Sequence, residues 1–149
     1  MNSRDIQDEF TRATGAFRAG NFAEAHGLLT LCLDKVPDDR NVRFLRGAAL
    51  AGMGKLTEAE EDFIALMAKD IQDIEALNNL AVIYARQDKL QDALGTLLDA
   101  IDMEPTNIAL YYNIGTVYKR LGNLKAASMA YAKVIELDDG YVPAYNNLG

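Results

Sequence analysis

The sequence predicts an all-α protein built from repeated pairs of antiparallel helices, and three observations predict it. The 149 residues divide into a leader of five, four repeats of 34 and a remainder of eight. Within each repeat, apolar residues recur at steps of three and four, the spacing of one helix face. Small residues also recur at fixed positions of the repeat. Helix pairs of this period stack on one another, so we expect an α–α solenoid.

The repeats follow one another without an insertion or deletion. They are predicted at residues 6–39, 40–73, 74–107 and 108–141, with the start of a fifth at 142–149, all within one repeat domain, 1–149. The last eight residues have the pattern of a first helix that is cut short. We therefore expect the chain to be a fragment of a longer protein.

The first half of each repeat is predicted to be a helix. In the third repeat its apolar face is formed by Leu77, Leu80, Ala81 and Tyr84. The triplet Asn79–Ala81 reads Asn-Leu-Ala, and the triplet Asn113–Gly115, one period later, reads Asn-Ile-Gly. The shared triplet fixes the alignment of the third and fourth repeats.

The second half of each repeat is predicted to be another helix, separated from the first by a tight turn. In the third repeat its apolar face is formed by Leu90, Ala93, Leu94, Leu97, Ala100 and Ile101. The turn carries Gly20, Gly54 and Gly122, with Asp88 in the third repeat. Glycine tolerates positive φ at a helix end, and Asp does so more readily than most residues.

Two columns of small residues let the helices of a pair approach closely. One column is Ala13, Gly47, Ala81 and Gly115, and the other is Ala25, Ala59, Ala93 and Ala127. An isolated pair cannot bury both of its apolar faces. The repeats are therefore expected to share one continuous core.

With these features the chain resembles the tetratricopeptide repeats, over about four and a quarter repeats. The resemblance rests on the period, the Asn triplets, the Ala column, Tyr84 with Tyr118, and Pro37 with Pro105. The family's usual Trp is replaced by Leu77, Tyr111 and Tyr145, and its terminal Pro by Ile71 and Asp139. The resemblance implies a right-handed superhelix whose first helices line a concave groove.

The composition argues against several classes of partner. The net charge is −7, which gives no overall attraction to nucleic acid or to an anionic membrane. No apolar run approaches the roughly 18 residues of a membrane span. The chain starts without a secretory signal and has one cysteine, so we expect a cytoplasmic protein without disulfides.

The sequence offers little for catalysis or for a cofactor. His26 is the single histidine, and Cys32 falls on an apolar face, where we expect it to act as a small buried hydrophobe. One Cys and one His cannot form the usual zinc site. The acidic run Glu58, Glu60, Glu61 and Asp62 is expected to be a solvated helix face. We predict a non-catalytic protein with neither cofactor nor metal.

Three columns of residues are expected to line the groove that the resemblance implies. They are Phe10, Phe44, Asn78, Tyr112 and Asn146; Thr11, Leu45, Asn79, Asn113 and Asn147; and Arg18, Gly52, Arg86 and Arg120, with Lys119 beside the last. Carboxamides can bind the backbone of an extended peptide, and arginines can bind acidic groups. Equally, the Asn residues can bond between repeats, and the Arg residues can complement helix dipoles.

We predict a protein-interaction scaffold whose groove binds an extended, acidic peptide segment. Its candidate contacts are Phe10, Phe44, Asn78, Asn79, Arg86, Tyr112, Asn113, Lys119, Arg120 and Asn147. One alternative is the N-terminal recognition arm of a longer enzyme such as a glycosyltransferase. Another is self-association through the open end of the array, where Val142, Tyr145 and Leu148 form an apolar face.

Overall fold

The computed structural model describes residues 3–138, and every regular element in that range is an α-helix. The eight helices are α1 (Ser3–Arg18), α2 (Phe22–Lys35), α3 (Arg40–Gly52), α4 (Leu56–Lys69), α5 (Ile74–Arg86), α6 (Leu90–Met103), α7 (Ile108–Arg120) and α8 (Leu124–Leu137). The even-numbered helices begin 34 residues apart, as do the odd-numbered ones from α3 onward. The all-α prediction is confirmed.

The helices begin and end where the sequence chemistry places turns. The turn residue has a positive φ in all four repeats: 81° at Gly20, 77° at Gly54, 63° at Asp88 and 82° at Gly122. A side chain at the start of α3, α5 and α7 caps a free backbone N–H group: Asp39 accepts from Val42, Asp73 from Ala76 and Asn107 from Ala109. The second, third and fourth repeats therefore have a polar cap before their first helix, and all four repeats have a left-handed residue after it.

The chain divides into two compact units, Met1–Ile71 and Gln72–Gly149. In the N-terminal unit, α1 pairs with α2, and α3 packs on both α2 and α4. Its core includes Leu29, Cys32 and Phe63, all fully buried. Gly47 is needed there, because a Cβ at this position would lie 2.8 Å from the Phe63 ring.

In the C-terminal unit, α6 packs on α5 and α7, and α8 packs on α7. Leu97, Leu110, Tyr131 and Val134 are its most buried large residues. A Cβ on Gly115 would lie 2.5 Å from the Tyr131 ring, so the glycine makes room for the aromatic side chain. The close approach predicted for the small-residue column is confirmed at Gly47 and Gly115.

One expectation was wrong: the acidic run on α4 is not uniformly solvated. Asp62 is only 2% exposed and accepts hydrogen bonds from Arg46 Nε at 2.8 Å and Arg46 Nη2 at 2.6 Å. Arg43 Nη1 adds a third at 3.3 Å. Asp62 lies three residues after buried Ala59 and four before buried Leu66, on the inward face of α4. Two arginines from α3 satisfy its charge there.

Candidate functional site

The period places Asn79 and Asn113 in one column and Asn78 in the neighbouring column. Asn113 on α7 donates from Nδ2 to Asn78 Oδ1 on α5 at 2.7 Å. Asn79 instead donates to the carbonyl of Glu75 in its own helix, at 2.9 Å. The structure thus pairs members of two neighbouring columns, and the pair joins α5 to α7.

The three carboxamides still present unused polar atoms. Within residues 3–138, Asn78 Nδ2, Asn79 Oδ1 and Asn113 Oδ1 have no hydrogen-bond partner. All three residues are half-buried, so water reaches these atoms only in part. The α5–α7 surface that contains them therefore offers one amide nitrogen as a donor group and two oxygens as acceptors to a ligand.

Tyr112 continues the α5–α7 surface beside Asn113. It is half-buried, with its ring centroid 6.0 Å from that of Tyr131. Thr116, one turn further on, donates to the Tyr112 carbonyl and shares a hydrogen bond with the Tyr131 hydroxyl at 3.1 Å. Packing against the buried Tyr131 ring fixes the position of the Tyr112 ring.

Arg120 is held inside the C-terminal unit. Its Nη1 donates to the carbonyl of Ala85 at 2.6 Å, and its Nη2 donates to Asp88 Oδ1 at 3.2 Å. Arg120 therefore satisfies the C-terminal end of α5 and the turn that follows it. Arg120 is nonetheless exposed, as are Arg86 and Lys119 in the same region.

The interruption of the basic column at Gly52 has a steric cause. A Cβ there would lie 2.6 Å from Phe22 Cδ2. The Phe22 ring is in turn packed edge-to-face against Phe17, with centroids 5.3 Å apart. The aromatic pair occupies the space that a longer side chain at position 52 would need.

The two candidate phenylalanines, Phe10 and Phe44, have different surroundings. Phe44 packs edge-to-face on Phe63, with centroids 5.3 Å apart, and the Arg40 guanidinium lies 4.7 Å from the Phe44 centroid. Phe10 packs against the core and also lines a cleft of about 250 Å³ with Ile6 and Val42. Phe10 is thus the one beside an open space.

Cys32 has the buried role that the sequence predicts. It is fully buried, with Sγ 3.9 Å from Glu9 Oε2 and from the carbonyl oxygen of Ile6. Burial, reinforced by the Glu9 carboxylate, raises the pKa of the Cys32 thiol above its ordinary value. The thiol stays protonated and is a poor nucleophile at neutral pH.

Two further properties concern only the described part of the chain. Between residues 3 and 138, no three His, Cys, Asp or Glu side chains come together in a way that could hold a metal ion. None of the eight helices is both long and apolar enough to cross a membrane. The candidates Asn147, Val142, Tyr145 and Leu148 lie outside the described residues and stay predictions.

The sequence reading missed an apolar cleft in the C-terminal unit, between α6 and α8 with α7 as its floor. Leu98, Ile114 and Met129 are among the residues that line it. A signal was present in the sequence, since Ile114 and Ala130 stand 68 residues after Arg46 and Asp62. The same place in the repeat is thus charged in one unit and apolar in the other.

Comparisons with known proteins agree with this architecture. Residues 15–136 match the family model for the N-terminal TPR repeats region of Psidin. The TPR repeat-containing protein MJ0941 of Methanocaldococcus jannaschii is 33% identical over 75 residues, which is 50% of this chain and 22% of that protein. The probable UDP-N-acetylglucosamine–peptide N-acetylglucosaminyltransferase SPINDLY of Hordeum vulgare is 39% identical over 95 residues, 64% of this chain and 10% of that protein.

Among solved structures, YrrB, described as a TPR protein with an unusual peptide-binding site, superposes with a TM-score of 0.82 at 16% identity. The match covers 97% of this chain and 75% of YrrB. The chain spans about a fifth or less of the first curated relatives it matches. Since the Psidin-region model covers most of the chain, the protein belongs to the tetratricopeptide-repeat family that this model describes.

Proposed function

We propose that the protein is a non-catalytic interaction module whose α5–α7 surface binds the main chain of an extended peptide. The observation that carries the proposal is the bond between Asn113 and Asn78, which leaves Asn78 Nδ2 and Asn113 Oδ1 without a partner between residues 3 and 138. A peptide backbone offers one carbonyl and one N–H per residue, which match this donor and acceptor.

Cations near the C-terminal ends of α5 and α7 favour an acidic segment. Arg86 lies seven residues after Asn79, about two helical turns along α5, and Lys119 lies six residues after Asn113 on α7. Both are exposed, in a chain whose net charge is −7. Arg120 contributes by holding the end of α5 in place. Local attraction of this kind selects acidic side chains against the repulsion of the rest of the surface.

We include Tyr112 and Asn147 as further contacts of the same peptide, and Phe10 and Phe44 as contacts of the N-terminal unit. Phe10 has the stronger support, since it lines an open cleft with Ile6 and Val42. The similarity to YrrB supports peptide binding as a class of function. We also propose a cytoplasmic location, which suits a buried, protonated Cys32.

The test uses a peptide chosen by displaying random peptides on phage and selecting on the purified chain. Its affinity is then measured by fluorescence anisotropy against the Asn78→Ala/Asn113→Ala double variant. Loss of two hydrogen bonds worth about 1 kcal/mol each predicts a fall of about thirtyfold. Asn21→Ala is the matched control, because this exposed asparagine makes no side-chain capping bond.

Urea unfolding shows whether the double variant is still folded at the assay temperature. A folded double variant that binds every selected peptide as tightly as the native chain contradicts the proposal. Arg86→Glu/Lys119→Glu then tests the preference for acidic peptides. This variant should have a lower affinity for acidic peptides and an unchanged affinity for neutral ones.

A second candidate function is favoured by the similarity to SPINDLY, a probable peptide N-acetylglucosaminyltransferase. In this reading the repeats are the recognition arm of a longer transferase. The experiment is to sequence the complete transcript and assay its product for transfer of N-acetylglucosamine to peptides. A complete product without such activity, or without residues for it, removes this candidate.

A further inference from the structure

The apolar cleft of the C-terminal unit has a volume of about 350 Å³. We call it the α8 cleft and define it by Leu98 and Ile101 on α6, Ile114 and Tyr118 on α7, and Met129 and Ala130 on α8. Leu98 is 44% exposed and Met129 66% exposed. These side chains are separate from the asparagines of the α5–α7 surface.

Charged side chains occupy the equivalent place in the N-terminal unit. Sixty-eight residues before Ile114 and Ala130 stand Arg46 and Asp62, which are joined by two hydrogen bonds. Glu61 stands where the C-terminal unit has Met129. An apolar ligand cannot enter the N-terminal position without breaking a buried ion pair. The C-terminal unit has Ile114 and Ala130 at these two positions, and a cleft lies beside them.

The two rims of the α8 cleft carry opposite charges. On α8, Lys125 has no partner between residues 3 and 138, and Lys133 pairs only with exposed Glu136, at 3.1 Å. An exposed pair of this kind is worth little and can exchange partners. On α6, the exposed Asp102 directly follows the cleft residue Ile101, about 100° around the helix from it. The cleft is thus an apolar trough with lysines along α8 and a carboxylate at the edge of α6.

The length of the trough fits a helix. Its α8 wall runs from Ala126 to Lys133, a rise of seven residue steps or about 10 Å of helix. Apolar side chains four residues apart on a partner helix are about 6 Å apart along its axis, so two of them fit. An apolar stripe with charged flanks is the recognition pattern of a helix in a groove.

We propose that the α8 cleft binds one amphipathic helix of a partner protein, with acidic residues on the flank facing α8 and basic residues on the flank facing α6. The apolar stripe fills the trough beside Met129, and a carboxylate takes Lys133 from Glu136. The two flanks fix the direction and the face of the bound helix. This site does not depend on peptide binding at the α5–α7 surface.

The probe is a synthetic stapled helix of about 16 residues, long enough to stay helical when stapled. It carries Leu at two positions four apart, Glu on one flank and Lys on the other. Fluorescence anisotropy measures its affinity, and amide chemical-shift changes locate it on the chain. We expect saturable binding, with the largest shift changes at α6 and α8 residues of the cleft.

Met129→Glu should lower the affinity about tenfold or more, because it puts a charge against the apolar stripe. Leu124→Glu is the matched control: Leu124 is 65% exposed on the same helix and does not line the cleft. Lys125→Glu/Lys133→Glu should lower the affinity about tenfold as well. A second probe with Lys in place of the flanking Glu should restore binding to that variant.

Several results would overturn the proposal. They are an absence of saturable binding, an equal loss in Met129→Glu and Leu124→Glu, and no rescue by the charge-reversed probe. Dodecanoate displacing the probe from the cleft at lower concentration would assign the site to an amphiphilic small molecule instead. Concentration-dependent dimers that Met129→Glu abolishes would assign it to a second copy of the chain.

Discussion

Arg46 donates two hydrogen bonds from its guanidinium fork to the buried carboxylate of Asp62, at 2.8 and 2.6 Å. The bond to Asp62 outweighs the desolvation of the guanidinium, so the pKa of Arg46 is raised. Arg43 adds a bond to the same carboxylate and another to the carbonyl of Pro37, at 3.1 Å. At the equivalent positions, 68 residues later, the C-terminal unit has Tyr111, Ile114 and Ala130.

Arg46→Ala should lower the free energy of unfolding by about 3 kcal/mol, because it leaves the buried Asp62 charge with only Arg43. The triple variant Arg43→Tyr/Arg46→Ile/Asp62→Ala installs the residues of the C-terminal unit. It removes the positive and negative charges together and should lower the free energy of unfolding by about 1.5 kcal/mol or less. Urea unfolding measures both. A triple variant less stable than Arg46→Ala would show that the ion cluster is a net stabilising element.

The glycines within helices should respond to alanine in opposite directions. Gly115→Ala should destabilise by about 1–3 kcal/mol, since its Cβ would enter the Tyr131 ring. Gly95→Ala is the matched control, because apart from the adjoining residues and backbone of its own helix no atom lies within 4 Å of its Cβ position. It should stabilise by about 1 kcal/mol through helix propensity. Thermal unfolding checks the signs, and a stabilising Gly115→Ala would refute the close approach.

The sequence predicts the helices well and the contacts between repeats less well. Helix ends follow from local signals, such as Asp73 as a cap and Gly54 as a turn. The bonds from Asn113 to Asn78 and from Arg120 to the Ala85 carbonyl both join residues 35 apart, whereas the period is 34. Residues at equivalent positions of two repeats therefore do not face each other directly. A column of residues spaced by 34 gives each residue a partner that is one position away from the one it bonds.

The burial of Asp62 was beyond local prediction for a different reason. Its neighbours in sequence are acidic, which indicates a solvated face. Only a partner on another helix, 16 residues away, makes a buried carboxylate tolerable. The α8 cleft was not predicted for the opposite reason. An apolar residue such as Met129 indicates a buried core in the sequence, and only the packing of the helices shows that it is exposed.

Asp88→Gly should stabilise the chain by about 0.5–1 kcal/mol. Asp88 has a φ of 63°, which glycine adopts without the penalty of a side chain. The substitution also removes the contact with Arg120, but that pair is exposed and contributes little. Asp88→Ala keeps the strained backbone and loses the contact, so it should destabilise. Urea unfolding measures the stability of both variants. If Asp88→Ala were more stable than Asp88→Gly, this account of the turn would be contradicted.

Cys32 should make stability fall at alkaline pH. The thiol pKa is raised in the folded chain from its ordinary value of 9.0, first by burial and then by Glu9. The folded chain therefore holds the thiol proton more tightly than the unfolded chain does. The contribution is complete below pH 9 and is lost as the pH rises toward the folded-state pKa. The free energy of unfolding, measured by urea from pH 7 to 10.5, should fall more steeply for the native chain than for Cys32→Ala. Parallel curves for the two proteins would show that Cys32 does not titrate differently on folding.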